Sequence, residues 1–87
     1  MIEGKTKSGF AYSISDENVN NMELLDALAE AEDGNPLRIS KVLHLLLGDE
    51  QRKELYGHLR EENGRVPVEA VITELKEILA NDGSKNF

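Results

Sequence analysis

The chain has 87 residues, with 17 acidic side chains against 10 Lys and Arg, a formal net charge of −7 and no cysteine. A length of this order holds one domain with a modest core. Without cysteine, disulfides and thiolate sites are excluded, and the negative charge repels phosphate backbones, so nucleic acid is not an expected partner.

Residues 2–15 read as a β-hairpin. Phe10, Tyr12 and Ile14 alternate with Ala11, Ser13 and Ser15, the period of a half-buried strand, and Ser8-Gly9 supplies the turn. A lone hairpin is marginal in water, so its aromatic face is expected to lie on helices. The first helix is predicted over 20–33. Asn20 and Glu23 have the spacing of a capping box, Leu24, Leu25, Leu28 and Ala31 repeat at helical spacing, and Gly34 stops the run.

Asn35-Pro36 restarts the chain, asparagine as cap and proline in the first helical position, where its missing N–H costs nothing. The helix that follows, 36–47, carries Leu37, Ile39, Val42, Leu43, Leu45, Leu46 and Leu47, leaving only Arg38, Lys41 and His44 as a polar stripe. A helix apolar nearly all round belongs at the centre of a domain. Gly48 is expected as a left-handed C-terminal cap and Asp49 as the next N-cap. A helix over 50–62 then turns Leu55, Tyr56 and Leu59 to the core. Gly57 in its middle points either to a close backbone approach or to a kink, and Asn63-Gly64 closes it. Pro67 opens the last helix, 67–81, where Val68, Val71, Ile72, Leu75, Ile78 and Leu79 form one stripe. Residues 83–87 read as a mobile tail. The expected fold is mainly α (α+β): an N-terminal β-hairpin packed on a compact bundle of about four helices, one domain over 1–87.

Residues that could do chemistry are sparse. The two histidines, His44 and His58, fall on different predicted helices and outside any metal-ligand spacing, so both read as surface residues. Calcium loops fail on ligands. A loop with Gly64 at its sixth position would start at Leu59 and end at Ala70, and one starting at Asp16 would end at Ala27. No GxSxG, phosphate loop or serine paired with histidine is visible, and the DSL motif of acyl carrier proteins is missing. No cofactor, metal or catalytic residue is therefore expected, and the chain reads as a non-enzyme. No apolar run approaches the ~18–20 residues that span a bilayer. MIEGKTKSGF also lacks the apolar stretch of a secretion signal, so a cytoplasmic protein without membrane contact is expected.

Binding is the better-supported expectation. Glu23, Asp26, Glu30 and Asp33 recur at helical spacing on one face of the first helix. Either they are a solvated face paired with Arg38, Lys41 and His44, or they dock a basic partner segment. A helical domain of this kind can also offer a groove to another helix, unless Phe10 and Tyr12 fill it.

Four stretches carry a resemblance: Gly9-Phe10-Ala11-Tyr12-Ser13-Ile14, then Leu45-Leu46-Leu47-Gly48 before Asp49-Glu50-Gln51, then Asn63-Gly64-Arg65-Val66-Pro67-Val68, and finally Lys85-Asn86. Through them, over nearly its whole length, the chain resembles the small tail assembly chaperones of long-tailed (siphovirus) bacteriophages and prophages. The resemblance implies a non-enzymatic role in the cytoplasm of a bacterial host. Such a chaperone coats the tape measure protein during tail morphogenesis, with the tail tube protein as a further possible partner and self-association possible. It also implies a longer product made by frameshifting near Lys85-Asn86, which the ending Phe87 leaves open. The alternative is a small acidic helical interaction module, or a phage regulator that binds a host protein.

Overall fold

A computed structural model of the chain describes residues 1–32 and 35–81. In chain order the elements are β1 (Ile2–Lys5), β2 (Ala11–Ile14), α1 (Asp16–Val19), α2 (Met22–Glu32), a 3-10 turn (Pro36–Arg38), α3 (Ile39–Leu59) and α4 (Val68–Asn81). The architecture is the expected α+β one, a two-stranded antiparallel hairpin on a helical bundle.

The hairpin pairs Ile2 with Ile14, Glu3 with Ser13, Gly4 with Tyr12 and Lys5 with Ala11. Its turn spans Thr6 to Gly9, closed by Gly9 N–H on Thr6 O at 3.0 Å, and Gly9 holds φ +99°, where a side chain is strained. Alternation works as anticipated: Phe10, Tyr12 and Ile14 are buried against the helices. Gly4 has a reason that the sequence did not show. The Tyr12 ring lies across the opposite strand, and a Cβ at Gly4 would overlap it.

After the hairpin the chain turns sooner than expected. Ser15 caps the four-residue α1 by accepting the Asn18 N–H, and Asn20 ends that helix instead of starting the next. The cap of α2 is Asn21, whose Oδ1 accepts the Glu23 N–H, so the helix predicted from 20 begins at Met22. Ser15 won because its hydroxyl reaches a free amide of the first turn three residues on, the same chemistry assigned to Asn20. Gly34 and Asp33 lie outside the described residues, as does the predicted tail 83–87.

Asn35 caps as expected, accepting the Leu37 N–H at 3.2 Å, but it starts a 3-10 turn that leaves Leu37 86% exposed. The prediction that every leucine of this region sits at the centre is corrected there. The rest holds: Val42, Leu43, Leu46 and Leu47 are buried, with Arg38, Lys41 and His44 outside.

α3 is not one rod. Tyr56 donates its hydroxyl proton to Ser40 Oγ at 3.4 Å, and Arg52 donates to the same oxygen at 2.9 Å. Sixteen residues of straight helix would separate Ser40 and Tyr56 by about 24 Å. The helix therefore doubles back at Gly48, giving the two helices expected either side of it. Gly48 has the positive φ foreseen (+84°), but its ψ of 163° is not that of a left-handed cap. It is an extended conformation open essentially to glycine alone. Carbonyls freed by the break find side chains: Asn18 Nδ2 donates to Leu46 O, and Gln51 Nε2 to Leu47 O. Gln51 also grips β2, exchanging hydrogen bonds of 2.7 Å with both Ser13 N–H and Ser13 O. Asp49 does not serve as the N-cap; its carboxylate turns to His44 and Arg52.

The second limb of α3 ends at Leu59 instead of residue 62, because Glu61 N–H bonds to Arg65 O and Gly64, at φ +84°, closes a turn. Gly57 is helical and exposed, and a Cβ there would meet nothing within 4 Å, so neither a close approach nor a kink explains it. Val71 N–H bonds to Pro67 O, which makes Pro67 the lead-in to α4. One apolar cluster joins the hairpin, α2, both limbs of α3 and α4. Ile14, Val42, Leu43, Leu55 and Ile78 are its fully enclosed members, each worth roughly 1.5–3 kcal/mol of burial.

Candidate functional site

Three places bring polar or apolar groups together in a way that bears on function. The first joins the hairpin turn to α4. Glu74 is only 5% exposed, and its Oε1 accepts from Thr6 Oγ1 at 2.8 Å and from Ser8 Oγ at 2.9 Å. One turn on, the Glu77 carboxylate takes the Lys7 N–H through both oxygens. His58 completes the cluster with Nε2 at 3.0 Å from Ser8 Oγ and 3.2 Å from Ser8 O, its ring tilted against Phe10.

No serine–histidine pair was legible in the sequence, because the partners lie fifty residues apart; the fold makes one. Its proton order is not that of a nucleophile and base. Ser8 gives its proton to Glu74, and a carbonyl only accepts, so His58 Nε2 carries hydrogen and donates. A catalytic triad would need the carboxylate on the far side of the imidazole and the serine donating to it. Here each proton holds the turn Thr6–Gly9 onto α4 and α3.

The second place is the outside of α3, where His44 Nδ1 meets Asp49 Oδ1 at 2.6 Å and Arg52 Nη2 stands 3.3 Å from the same oxygen. The hydrogen bond from His44 holds the Asp49 carboxyl below its usual range, and the charges of His44, Arg52 and Lys53 act in the same direction. The pair is exposed and spans the break at Gly48, so it tethers the two limbs across the outside. Among the described residues no three metal-ligating side chains gather.

The third is an apolar groove of about 520 Å³ between α2 and α4, closed at one end by the start of α3. Leu28 and Ala31 form one wall, Ile72, Leu75 and Leu79 the other, and Ile39 the end, with Glu32 and Lys76 as its charged groups. A shallower hollow of about 180 Å³ lies on the other side of Ile39, between Tyr56, Val66 and Val68. Phe10 and Tyr12 are buried in the core, and neither lines the groove, which stays open instead of being filled by the hairpin.

The acidic stripe behaves differently from the groove. Glu23, Asp26 and Glu30 are exposed, and Glu30 pairs with Arg38. Asp33 lies outside the described residues, and His44 pairs with Asp49 instead of with α2. At roughly 100° per residue, Glu23, Asp26 and Glu30 fall nearly opposite Leu28 and Glu32 on α2. The stripe and the groove therefore occupy different sides of that helix.

Sequence reasoning had not separated a groove from the core. The signal was present in stripe width: Val68, Ile72 and Leu79 lie to one side of Val71 and Ile78 on α4, wider than one core contact requires. Among the described residues no helix is long and apolar enough to cross a membrane. Comparison with known proteins finds no matching family model, curated protein or solved structure.

Proposed function

We propose that the protein is a non-enzymatic tail assembly chaperone of a long-tailed phage or prophage. In the bacterial cytoplasm it would bind the tape measure protein while the tail is built. The observation that carries the reading is the open apolar groove between α2 and α4, while the Glu74–Ser8–His58 and His44–Asp49 clusters are spent on holding the fold. A long helical partner exposes apolar stripes before assembly. A small domain of net charge −7 that covers such stripes keeps the complex dispersed by repulsion. Release at tube assembly favours many modest contacts over one tight site, which a groove of this size on a small domain supplies.

Co-expression with a tape measure protein from a long-tailed phage of the same host tests the proposal. The expected result is a soluble complex that copurifies. A partner equally insoluble with and without this chain would remove the reading.

A further inference from the structure

The α2–α4 groove has a shape and charge that define its occupant. We infer that it takes a single amphipathic helix of another polypeptide, with apolar residues at alternating spacings of four and three and a basic flank against α2. This rests on the binding role proposed above and names the chemistry at its site.

Spacing is the first support. α4 presents Ile72, Leu75 and Leu79 to the groove, at successive intervals of three and four, the repeat of a coiled-coil seam. Leu75 is buried at the floor and Ile72 and Leu79 are half-buried, so the seam is open along its upper side. Across the groove, α2 offers Leu28 and, one turn earlier, the exposed Leu25. Two helices that flank an apolar trough in this way match the packing surface of a third helix. A small polar ligand is a poorer fit, because such sites need several convergent polar groups to orient it. Among the described residues, the charged groups of this trough are Glu32 and Lys76, on opposite walls.

Charge decides between occupants. The acid that α2 turns to the groove is Glu32, while Glu23, Asp26 and Glu30 lie on the helix's other side. Glu32 stands on the groove wall itself, so a helix with Lys or Arg along that flank is attracted and an acidic one repelled. Lys76 on the other wall favours an acid or a neutral residue there, which fixes the helix direction. A second copy would bring another −7 to this surface. Like charge makes it the wrong occupant.

The test uses the full chain and two sets of probes. Overlapping peptides from the tape measure protein and a pair of synthetic amphipathic helices, identical except for Lys or Glu on one flank, are titrated by fluorescence anisotropy. Wild type is compared with Leu79→Asp and Glu32→Lys, each checked by thermal melting. Binding confined to basic-flanked peptides is expected. Leu79→Asp should weaken it at least tenfold with the fold retained, and Glu32→Lys should reverse the Lys-over-Glu preference.

Three results would overturn the inference. Binding indifferent to these substitutions would place the site elsewhere. A wild-type dimer by light scattering, dissociated by Leu79→Asp, would give the groove to a second copy. Binding that rises tenfold when the chain is cut after Asn81 would give it to residues 82–87. A tape measure protein solubilised equally by wild type and Leu79→Asp would defeat the groove and leave the chaperone role standing. Basic peptides held in the groove, with no effect on that protein, would do the reverse.

Discussion

The two flanks of α4 solve opposite problems. On one, Glu74 and Glu77 receive the hairpin turn through Thr6, Ser8 and the Lys7 amide, and His58 closes the set from α3. On the other, Ile72 and Leu79, both half-buried, line the trough beside α2. A polar clamp whose donors and acceptors meet each other has no need of a partner. An apolar wall left half-covered gains from one, since each further burial stabilises by about 25 cal/mol per Å². Within a single helix, polarity therefore separates the side that holds the fold from the side that is available.

That contrast can be broken at several strengths. Leu43→Ala, at a site with no exposure, should lower unfolding free energy by about 2–5 kcal/mol, read by urea denaturation. Leu79→Ala on the groove wall should cost much less, about 1 kcal/mol, since part of that side chain already meets water. Equal losses at both positions would mean that the groove is core. Glu74→Ala strips the buried Thr6 hydroxyl and Ser8 of their acceptor and should cost about 1–3 kcal/mol, with faster amide exchange confined first to residues 6–10. Glu77→Ala, which loses only the exposed Lys7 contact, should shift stability by less.

Gly57→Ala goes the other way. With open space at the Cβ and helical backbone, it should raise stability by about 1 kcal/mol in thermal melts. The smallest effect belongs to Asp49. Its folded-state carboxyl titrates below the unfolded one, so its contribution is complete above the ordinary carboxylate range and fades as pH falls through the lowered folded value. Asp49→Asn should therefore flatten only the acid limb of the stability profile, leaving the slope near neutral pH unchanged. Its exposure keeps the effect minor.

Element positions were largely legible because they depend on near neighbours. Alternation at Phe10, Tyr12 and Ile14 marked the strand, and Asn35, Gly48 and Pro67 marked boundaries within a residue or two. Misplaced caps were choices among adjacent donors. Ser15 and Asn21 do what was assigned to Asn20, and Asp49 gave up capping once His44 and Arg52 came within reach. The candidate site was less legible. The acidic residues Glu23, Asp26 and Glu30 stood out by charge, yet charge on a helix says nothing of which neighbour lies beside it.

By itself the sequence determined the helices, the hairpin, the break at Gly48 and the acidic character of the surface, since propensity, periodicity and turn chemistry act over a few residues. Only the tertiary structure decided which apolar residues close the core and which are left over. Leu37 and Val68 look as greasy as Leu43 in a one-dimensional reading, but packing space is shared out between whole elements. It also decided that Ser8, His58 and Glu74 would meet and that their protons would hold a turn, because hydrogen bonds fifty and sixty-six residues apart depend on how the helices dock.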